Sequence, residues 1–489
     1  LGLTTYITTN VAPMPLLWVV PLALYLLSFV VVFARNPWIS PSFVNHLVPI
    51  LVLPVATTLV LGPRGQLWLL VPLHVLAFFI ISLACHGELA RQRPAPSRLT
   101  EFYLLIGVGG VVGGIFNALV APTLFTGVLE YPLVLVLACF VRRSPAPTRL
   151  DLSLALAICI AVSGAIWLAH TSAGGTAVTL LLMICLPVLL CFAVRNRPLP
   201  FGLGVGTLLI TTTALLGSGH QILYRHRSFF GVLQVINDES KGVRILANGT
   251  TNHGSQSLDP ARQREPLAYF YRTGPIGQVF AALSDVRPVS PVAVIGLGTG
   301  SLACYGESGQ EFTFYEIDPA VVRIARDARY FTFLQVCPPE VHIVVGDARL
   351  SLATAPDGHY GLIVLDAFSS DAIPSHLITR QALRLYMQKL AQAGLLAVHI
   401  SNNHLDIEPV VANLAHDSRI VGLAQQDLRV MPLEARAGKT ASHWVVLARR
   451  PQDLHALRND PRWHILVPPA DRAVWTDDFS NILSIIKWR

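Results

Sequence analysis

Long apolar stretches fill the first 219 residues, and short apolar runs that each close on polar residues fill most of the remainder. A bilayer needs about 20 consecutive apolar residues in a helix. Six stretches predict such spans: Met14 to Ala34, Leu47 to Leu61, Leu67 to Cys85, Phe102 to Val120, Leu150 to Ala169 and Ala177 to Val194. Two weaker ones are Leu124 to Val141, interrupted by Glu130 and Pro132, and Phe201 to Leu216, rich in glycine and threonine. Seven or eight spans follow. Gly109, Gly110, Gly113 and Gly114 have the small-xxx-small spacing that favours close helix packing. Asn117, Glu130 and Asp151 are polar positions in or beside apolar segments, where such groups are costly and often functional.

After Gly219 the period changes. Ser228 to Asn237 and Val243 to Ala247 read as two strands around a turn at Asp238 to Gly242, followed by a polar, turn-rich loop over residues 248–277. A doubly wound α/β pattern comes next. Its strands are Val292 to Ile295, Phe312 to Tyr315, Val341 to Val345, Leu362 to Leu365 and Leu395 to Ile400, with helices from about Pro319 and over Thr379 to Ala391. The expected organisation is a transmembrane helical domain (1–219), a β-hairpin with a site-covering loop (220–289) and a Rossmann-like, class I S-adenosylmethionine-binding domain (290–489).

Composition sharpens this picture. Hydrophobic residues make up 53% and charged residues 13% of the 489; with a mean hydropathy of +0.54, a purely water-soluble globule is not expected. The first 219 residues carry ten arginines, no lysine and four acids, a net of +6 within a total of +7. The basic excess therefore belongs to the apolar half, and nucleic acid is not an expected partner. Arginines gather in alternate loops (Arg35; Arg91, Arg93, Arg98; Arg142, Arg143, Arg149; Arg195, Arg197), with Arg64 the exception. The positive-inside rule puts those loops in the cytoplasm. Eight spans would put the C-terminal part on the opposite face and seven would keep it cytoplasmic; Arg225 and Arg227, just after the last segment, favour the cytoplasmic side of a bacterial cell membrane. The seven cysteines show no metal or CxxC spacing, so neither disulfide nor metal is expected. Leu1 is not a start methionine, and the chain is expected to be trimmed there.

Candidate chemistry concentrates at strand ends. The run PVAVIGLGTG places Gly296, Gly298 and Gly300 after the first parallel strand, and the second ends on Glu316 and Asp318. Glycines there allow a tight turn and close backbone approach to a ligand, and an acid about 20 residues on accepts hydrogen bonds from ribose hydroxyls. No later glycine packs a dinucleotide-type helix, so the pattern points to an S-adenosyl ligand rather than NAD. Gly346–Asp347, Asp366 and Ser401–Asn402–Asn403 close the other strands. Asp366 also fits a helix cap or loop acid. His253 and His399 fit hydrogen-bonded loop or strand-end histidines, His399 lying at the ligand end of its strand.

From about Ser228 to Asn403, and above all in GTTNHGSQ, DPARQREPLAYFYR and DAFSSDAIPSHLITRQAL, the chain resembles the spermidine synthase (aminopropyltransferase) family, more closely its membrane-fused bacterial branch. The resemblance implies that Glu316 holds the ribose hydroxyls and Asp347 the adenine amino group. Asp366 would be the catalytic aspartate, with Asp371 a second acid at a spacing of five instead of three. Tyr269 would orient substrate, and Gln256 lies in the stretch that covers the site. Two positions depart from the family. Thr299 stands where an aspartate binds the donor's amino group, and Tyr271 where a glutamate follows the tyrosine.

A polyamine acceptor is a multiple cation that needs paired carboxylates. With two of the acids missing, the first expectation is a reaction without an acceptor. The carboxylate of S-adenosylmethionine attacks the carbon beside its own sulfonium, releasing methylthioadenosine and a homoserine lactone or homoserine, at effective molarities of about 10⁵ M or more. Aminopropyl transfer from decarboxylated S-adenosylmethionine to a polyamine is the alternative, with Asp477 and Asp478 restoring acidity. Methyl transfer comes third, and a non-catalytic nucleoside-sensing membrane protein or transporter is a different class. No cofactor is expected beyond the S-adenosyl substrate. The bilayer is an expected partner and a homo-oligomer a possible one.

Overall fold

The computed structural model describes residues 1–11, 17–34, 39–62, 67–142, 146–171, 176–215, 221–249, 251–286, 289–367, 374–469 and 473–487. Asp371, with Arg35, Arg64 and Arg143 from the loop arginines, lies outside the described residues. The chain divides into two compact units, Leu1–Gly219 and His220–Arg489.

The first unit is helical. Among the described residues four helices are long and apolar enough to cross a membrane, by length and composition: Pro41–Leu61, Trp68–Arg91, Pro96–Leu124 and Arg149–Thr171. Four shorter apolar helices, Val19–Phe33, Glu130–Phe140, Val178–Ala193 and Pro198–Ala214, occupy the other expected segments and fall below the about 20 residues that a span ordinarily takes. Local chemistry sets two of those limits. The backbone turns extended at Phe125, so no helix joins Leu124 to Glu130. Pro198, which has no N–H to offer, starts the last helix.

The glycine stripe behaves differently from its spacing. No atom lies within 4 Å of where Cβ atoms would stand on Gly109, Gly110, Gly113 or Gly114, since nothing among the described residues packs on that face. Close packing occurs instead at Gly202 and Gly204. A Cβ on the first would fall 2.7 Å from the Phe140 ring and on the second 2.8 Å from Ile158. The unit's buried histidines are matched: His74 bonds Thr58 at 3.0 Å and Tyr131 at 2.8 Å, and His86 bonds Ser28 at 2.8 Å. Glu130 is buried, and Asp151 pairs with Arg197 at 2.6 Å.

The second unit holds two sheets. Strands β1 (Gln221–Ser228), β2 (Gly231–Asp238), β3 (Val243–Asn248) and β4 (Thr251–Ser257) form an antiparallel sheet in that order. The expected hairpin corresponds to β2 and β3. Strand β4 was expected as loop because TNHGSQS is polar throughout, and its strand character comes from pairing along β3.

The larger sheet contains β5 (Val292–Ile295), β6 (Glu311–Glu316), β7 (Glu340–Val345), β8 (Tyr360–Leu365), β9 (Leu390–His399), β10 (Val421–Asp427), β11 (Ser442–Ala448) and β12 (His464–Ile465). Their order is β12-β10-β11-β9-β8-β5-β6-β7, parallel from β7 to β9 and antiparallel beyond. This is a Rossmann-like sheet with an antiparallel extension. Side chains of β5 alternate between two cores, Ala293 and Ile295 in one and Val292 and Val294 in the other. Burial on both faces is why β5 and β8 read as continuous apolar runs. Because β6 and β8 flank β5 on opposite sides, the chain reverses its direction of winding there. A crevice opens at the carboxyl ends of these three strands, where doubly wound folds bind ligands.

One pairing has no counterpart in the sequence reading. Cys304 and Cys337 come within disulfide reach of each other, their Cα atoms 4.8 Å apart. The short turn Ser301–Tyr305 packs beside helix Phe333–Val336, and a sequence separation of 33 carries no trace of that proximity.

Candidate functional site

The glycine loop is shaped by what touches it. Gly296 has φ +101°, and a Cβ on it would lie 2.3 Å from the carbonyl oxygen of Asp366. Gly298, at φ +53°, meets the carbonyl of His253 in β4 in the same way, at 2.5 Å. Only glycine fits both the left-handed backbone and the approach of two other elements. Gly300 caps the turn Ser301–Tyr305.

Glu316 fastens this loop. Its Oε2 accepts the N–H of Leu297 at 2.9 Å and its Oε1 that of Asp318 at 2.8 Å. Burial raises its pKa, opposed by those backbone donors. Each oxygen keeps a lone pair with which it could receive a ribose hydroxyl. Asp318 accepts from Ser228 at 2.6 Å, tying β6 to the end of β1. Asp347 caps helix Ala348–Ala353 by accepting from Leu350 at 2.9 Å, and stands 3.4 Å from His376.

These groups border a cavity of about 310 Å³, at the lower end of ligand-pocket sizes of about 300–1,000 Å³. Gly296, Gly298, Glu316, Asp318, Asp347 and Asp366 line one side; Leu233, Leu246, Asn248 and His253 from the smaller sheet, with Phe230 from its β1–β2 turn, line the other. Among the described residues the charged members of the lining are four carboxylates, with no lysine or arginine; His253 and His376 are also present. Such a cavity suits a cation. Among the described residues no group of three or more His, Cys, Asp or Glu side chains could hold a metal.

Asp366 stands at the end of β8 beside His399 at the end of β9, with 2.6 Å between Oδ1 and Nδ1. The other ring nitrogen, Nε2, is 2.7 Å from Ser401 Oγ, which accepts the backbone N–H of His443 at 2.7 Å. The imidazole is held between two aromatic rings, Tyr269 and Trp444, each with its centroid 4.5 Å away. Burial raises the Asp366 pKa and His399 opposes the rise. Burial, then the Asp366 charge, lifts the Tyr269 phenol well above its usual range.

The remaining expected residues fall elsewhere. Gln256 bridges the Gln263 carbonyl (2.9 Å) and the Thr332 hydroxyl (2.8 Å) and accepts from Thr332 N–H (3.0 Å). It is not among the cavity-lining residues, and neither are Thr299 and Gly300. Thr299 is buried against Gly254, where a Cβ would meet its hydroxyl at 2.5 Å. Asp477 is taken by Arg349 at 2.6 Å and by the Thr379 hydroxyl at 2.7 Å, and these bonds hold its pKa down. Residues with no sequence signal are His376, brought in by the segment after β8, and Trp444, which β11 sets opposite His399. A strand pattern at SHWVV marks Trp444 only as apolar.

No family model matches the chain. A polyamine aminopropyltransferase from Vibrio vulnificus is 30% identical over 221 residues, which is 44% of this chain and 66% of that protein, just under two thirds of its length. Among solved structures, a probable spermidine synthase from Corynebacterium glutamicum is 14% identical over 52% of this chain and 98% of its own, with a TM-score of 0.38. The spermidine synthase from Thermotoga maritima is 13% identical over 53% and 82%, with a TM-score of 0.34. Over 221 residues the chain is thus similar in sequence to an enzyme of the spermidine synthase-like (aminopropyltransferase) family.

Proposed function

We propose that the chain transfers an aminopropyl group from decarboxylated S-adenosylmethionine to an amine, releasing methylthioadenosine. The observation that carries this reading is the Asp366 carboxylate in a cavity whose charged lining is acidic throughout. The decarboxylated donor carries a sulfonium and an ammonium and no carboxylate. The carboxylate of intact S-adenosylmethionine would find no lysine or arginine among the described residues of that lining, which reverses the order of the two readings expected from sequence. Similarity to a polyamine aminopropyltransferase also supports transfer over cleavage without an acceptor.

Glu316 would receive the ribose hydroxyls and Asp347 the adenine amino group, with the glycine loop close to the nucleoside. The acceptor nitrogen attacks the arm carbon bonded to sulfur. As the new C–N bond forms, the C–S bond breaks and its electron pair leaves with methylthioadenosine, while the proton shed by the amine passes to Asp366. General-base assistance of this kind is worth about 10²- to 10⁴-fold in rate. Asp371 would be a second acid near the acceptor. In this reading the helical unit attaches the enzyme to a bacterial cell membrane with the C-terminal unit in the cytoplasm, where the donor is made.

One observation favours the acceptor-free cleavage. Thr299, in the position where the family's aspartate binds the donor's amino group, is buried against Gly254 and out of the cavity lining. Mass spectrometry of products from detergent-solubilised protein separates the two. Methylthioadenosine only with the decarboxylated donor plus putrescine supports transfer; methylthioadenosine from S-adenosylmethionine alone overturns it in favour of cleavage.

A further inference from the structure

Asp366 could have been held by a backbone donor, as Glu316 and Asp347 are; instead it meets a buried side chain from the neighbouring strand. That side chain is built into place on three sides. Tyr269 and Trp444 cover the two ring faces of His399. Ser401 bonds Nε2, and the N–H of His443 in β11 bonds Ser401. With the serine at one nitrogen and a carboxylate at the other, the hydrogen on Nδ1 is donated to Asp366 whether the ring is neutral or protonated, an assignment made from the network. Oδ1 is thereby occupied, leaving Oδ2 as the oxygen not engaged by His399 on a residue that lines the cavity.

We propose that His399 is a positioning residue, which donates from Nδ1 to keep the Asp366 carboxylate ionised and turned so that Oδ2 receives the acceptor's proton, with Ser401 setting the ring. This rests on the reading of Asp366 as the base. His399 itself neither gains nor loses a proton in the transfer.

The groups that share the surroundings of Asp366 are Tyr269 beside the ring, His253 from β4, Glu316 and Asp318 from the end of β6, and Asp347 and His376 across the cavity. Burial opposes ionisation of Asp366, and the His399 donor is the interaction that favours the charged form.

Two substitutions separate donation from packing. His399→Asn puts an amide N–H where Nδ1 stands, because both atoms are bonded to Cγ; His399→Phe keeps an aromatic ring between Tyr269 and Trp444 and loses the donor. The assay is methylthioadenosine release from decarboxylated S-adenosylmethionine and putrescine across pH, with donor affinity and melting curves as controls for folding. His399→Phe should lower kcat about 10- to 100-fold, the scale of a hydrogen bond to a charged group. It should also raise the acid limb of the pH profile by about one unit or more, with the donor KM little changed. His399→Asn should recover most of both. Ser401→Ala, which leaves the ring in place, should shift the limb the same way by less.

If His399→Phe and Ser401→Ala keep the wild-type kcat and acid limb while Asp366→Asn is inactive, the positioning role is overturned and the base survives. Turnover by Asp366→Asn at the wild-type rate removes the base itself, and the positioning role with it.

Discussion

The Asp366 carboxylate and the His399 imidazole meet at 2.6 Å across the ends of adjacent parallel strands, the one group 9% and the other 4% exposed. A carboxylate taken out of water resists ionisation. Burial outweighs the histidine here, and the Asp366 pKa lies above the usual carboxylate range. The base must be ionised to receive a proton, so activity should fall as pH drops through that raised value. The kcat/KM profile, which reports groups of the free enzyme, should therefore show an acid limb displaced upward from the ordinary aspartate value of about 3.9. An acid limb at or below that ordinary value would mean that Asp366 is not the group being titrated.

Gly296→Ala tests how closely β5 and β8 depend on each other. The new methyl would lie 2.3 Å from the Asp366 carbonyl, on a backbone at φ +101° that alanine rarely adopts. Either the loop moves or the end of β8 does, and both carry the site. We expect a loss of about 1–3 kcal/mol in stability together with a fall in kcat larger than the stability loss explains at 25 °C. Equilibrium denaturation and turnover on the same preparation check this. Wild-type kcat in a merely destabilised protein would show that the base is not positioned from this contact.

What the sequence revealed and what it withheld follow from where each signal resides. Strands β5 and β8 are buried on both faces, so Val292–Ile295 and Leu362–Leu365 stand out as apolar runs, and the acids that close the parallel strands could be read as a shared edge. The polar strand β4 draws its identity from pairing with β3, and nothing within TNHGSQS shows it. His399 was legible as a strand-end residue, but its role depends on Ser401, two residues on, and on Trp444 from a strand 45 positions later. Gln256 reads as a covering residue and is instead a tie to Thr332, because the partner that claims it lies 76 residues away. Glycine spacing at 109–114 suggested a helix contact, whereas the contact exists at Gly202 and Gly204, where Phe140 and Ile158 supply the facing atoms.

Glu408 gives the C-terminal edge of the sheet an acid-sensitive clasp. Its carboxylate lies 2.8 Å from Nε2 of His443 in β11 and bonds His464 of β12 at 3.0 Å. His443, with help from His464, pulls its pKa down to about 2. The folded value lies below the unfolded one, so the clasp stabilises fully above about pH 5 and is lost as pH falls toward 2. Glu408→Gln should be less stable than wild type at pH 6, and the gap between the two melting temperatures should close steadily below pH 4.5. A gap that stays constant down to pH 2 would remove the carboxylate from the account.

The last test concerns Cys304 and Cys337, which bear on both the glycine loop and the side of the membrane. Cα atoms 4.8 Å apart are within disulfide range, and closing a loop of 33 residues would stabilise the unit by about 2–4 kcal/mol. Cytoplasmic thiols are kept reduced, whereas disulfides persist on the oxidising face. With the C-terminal unit in the cytoplasm, as proposed, the pair should be a dithiol in the cell and should close on mild oxidation of the purified protein, raising its melting temperature. Alkylation of acid-quenched cells followed by peptide mass spectrometry reads this directly. Both cysteines alkylated in cells is the expected result; a pair protected until reductant is added would put the unit on the opposite face. That outcome would require an even number of crossings and a donor supplied from outside the cytoplasm, so the thiol state of two residues tests the membrane topology and the substrate reading together.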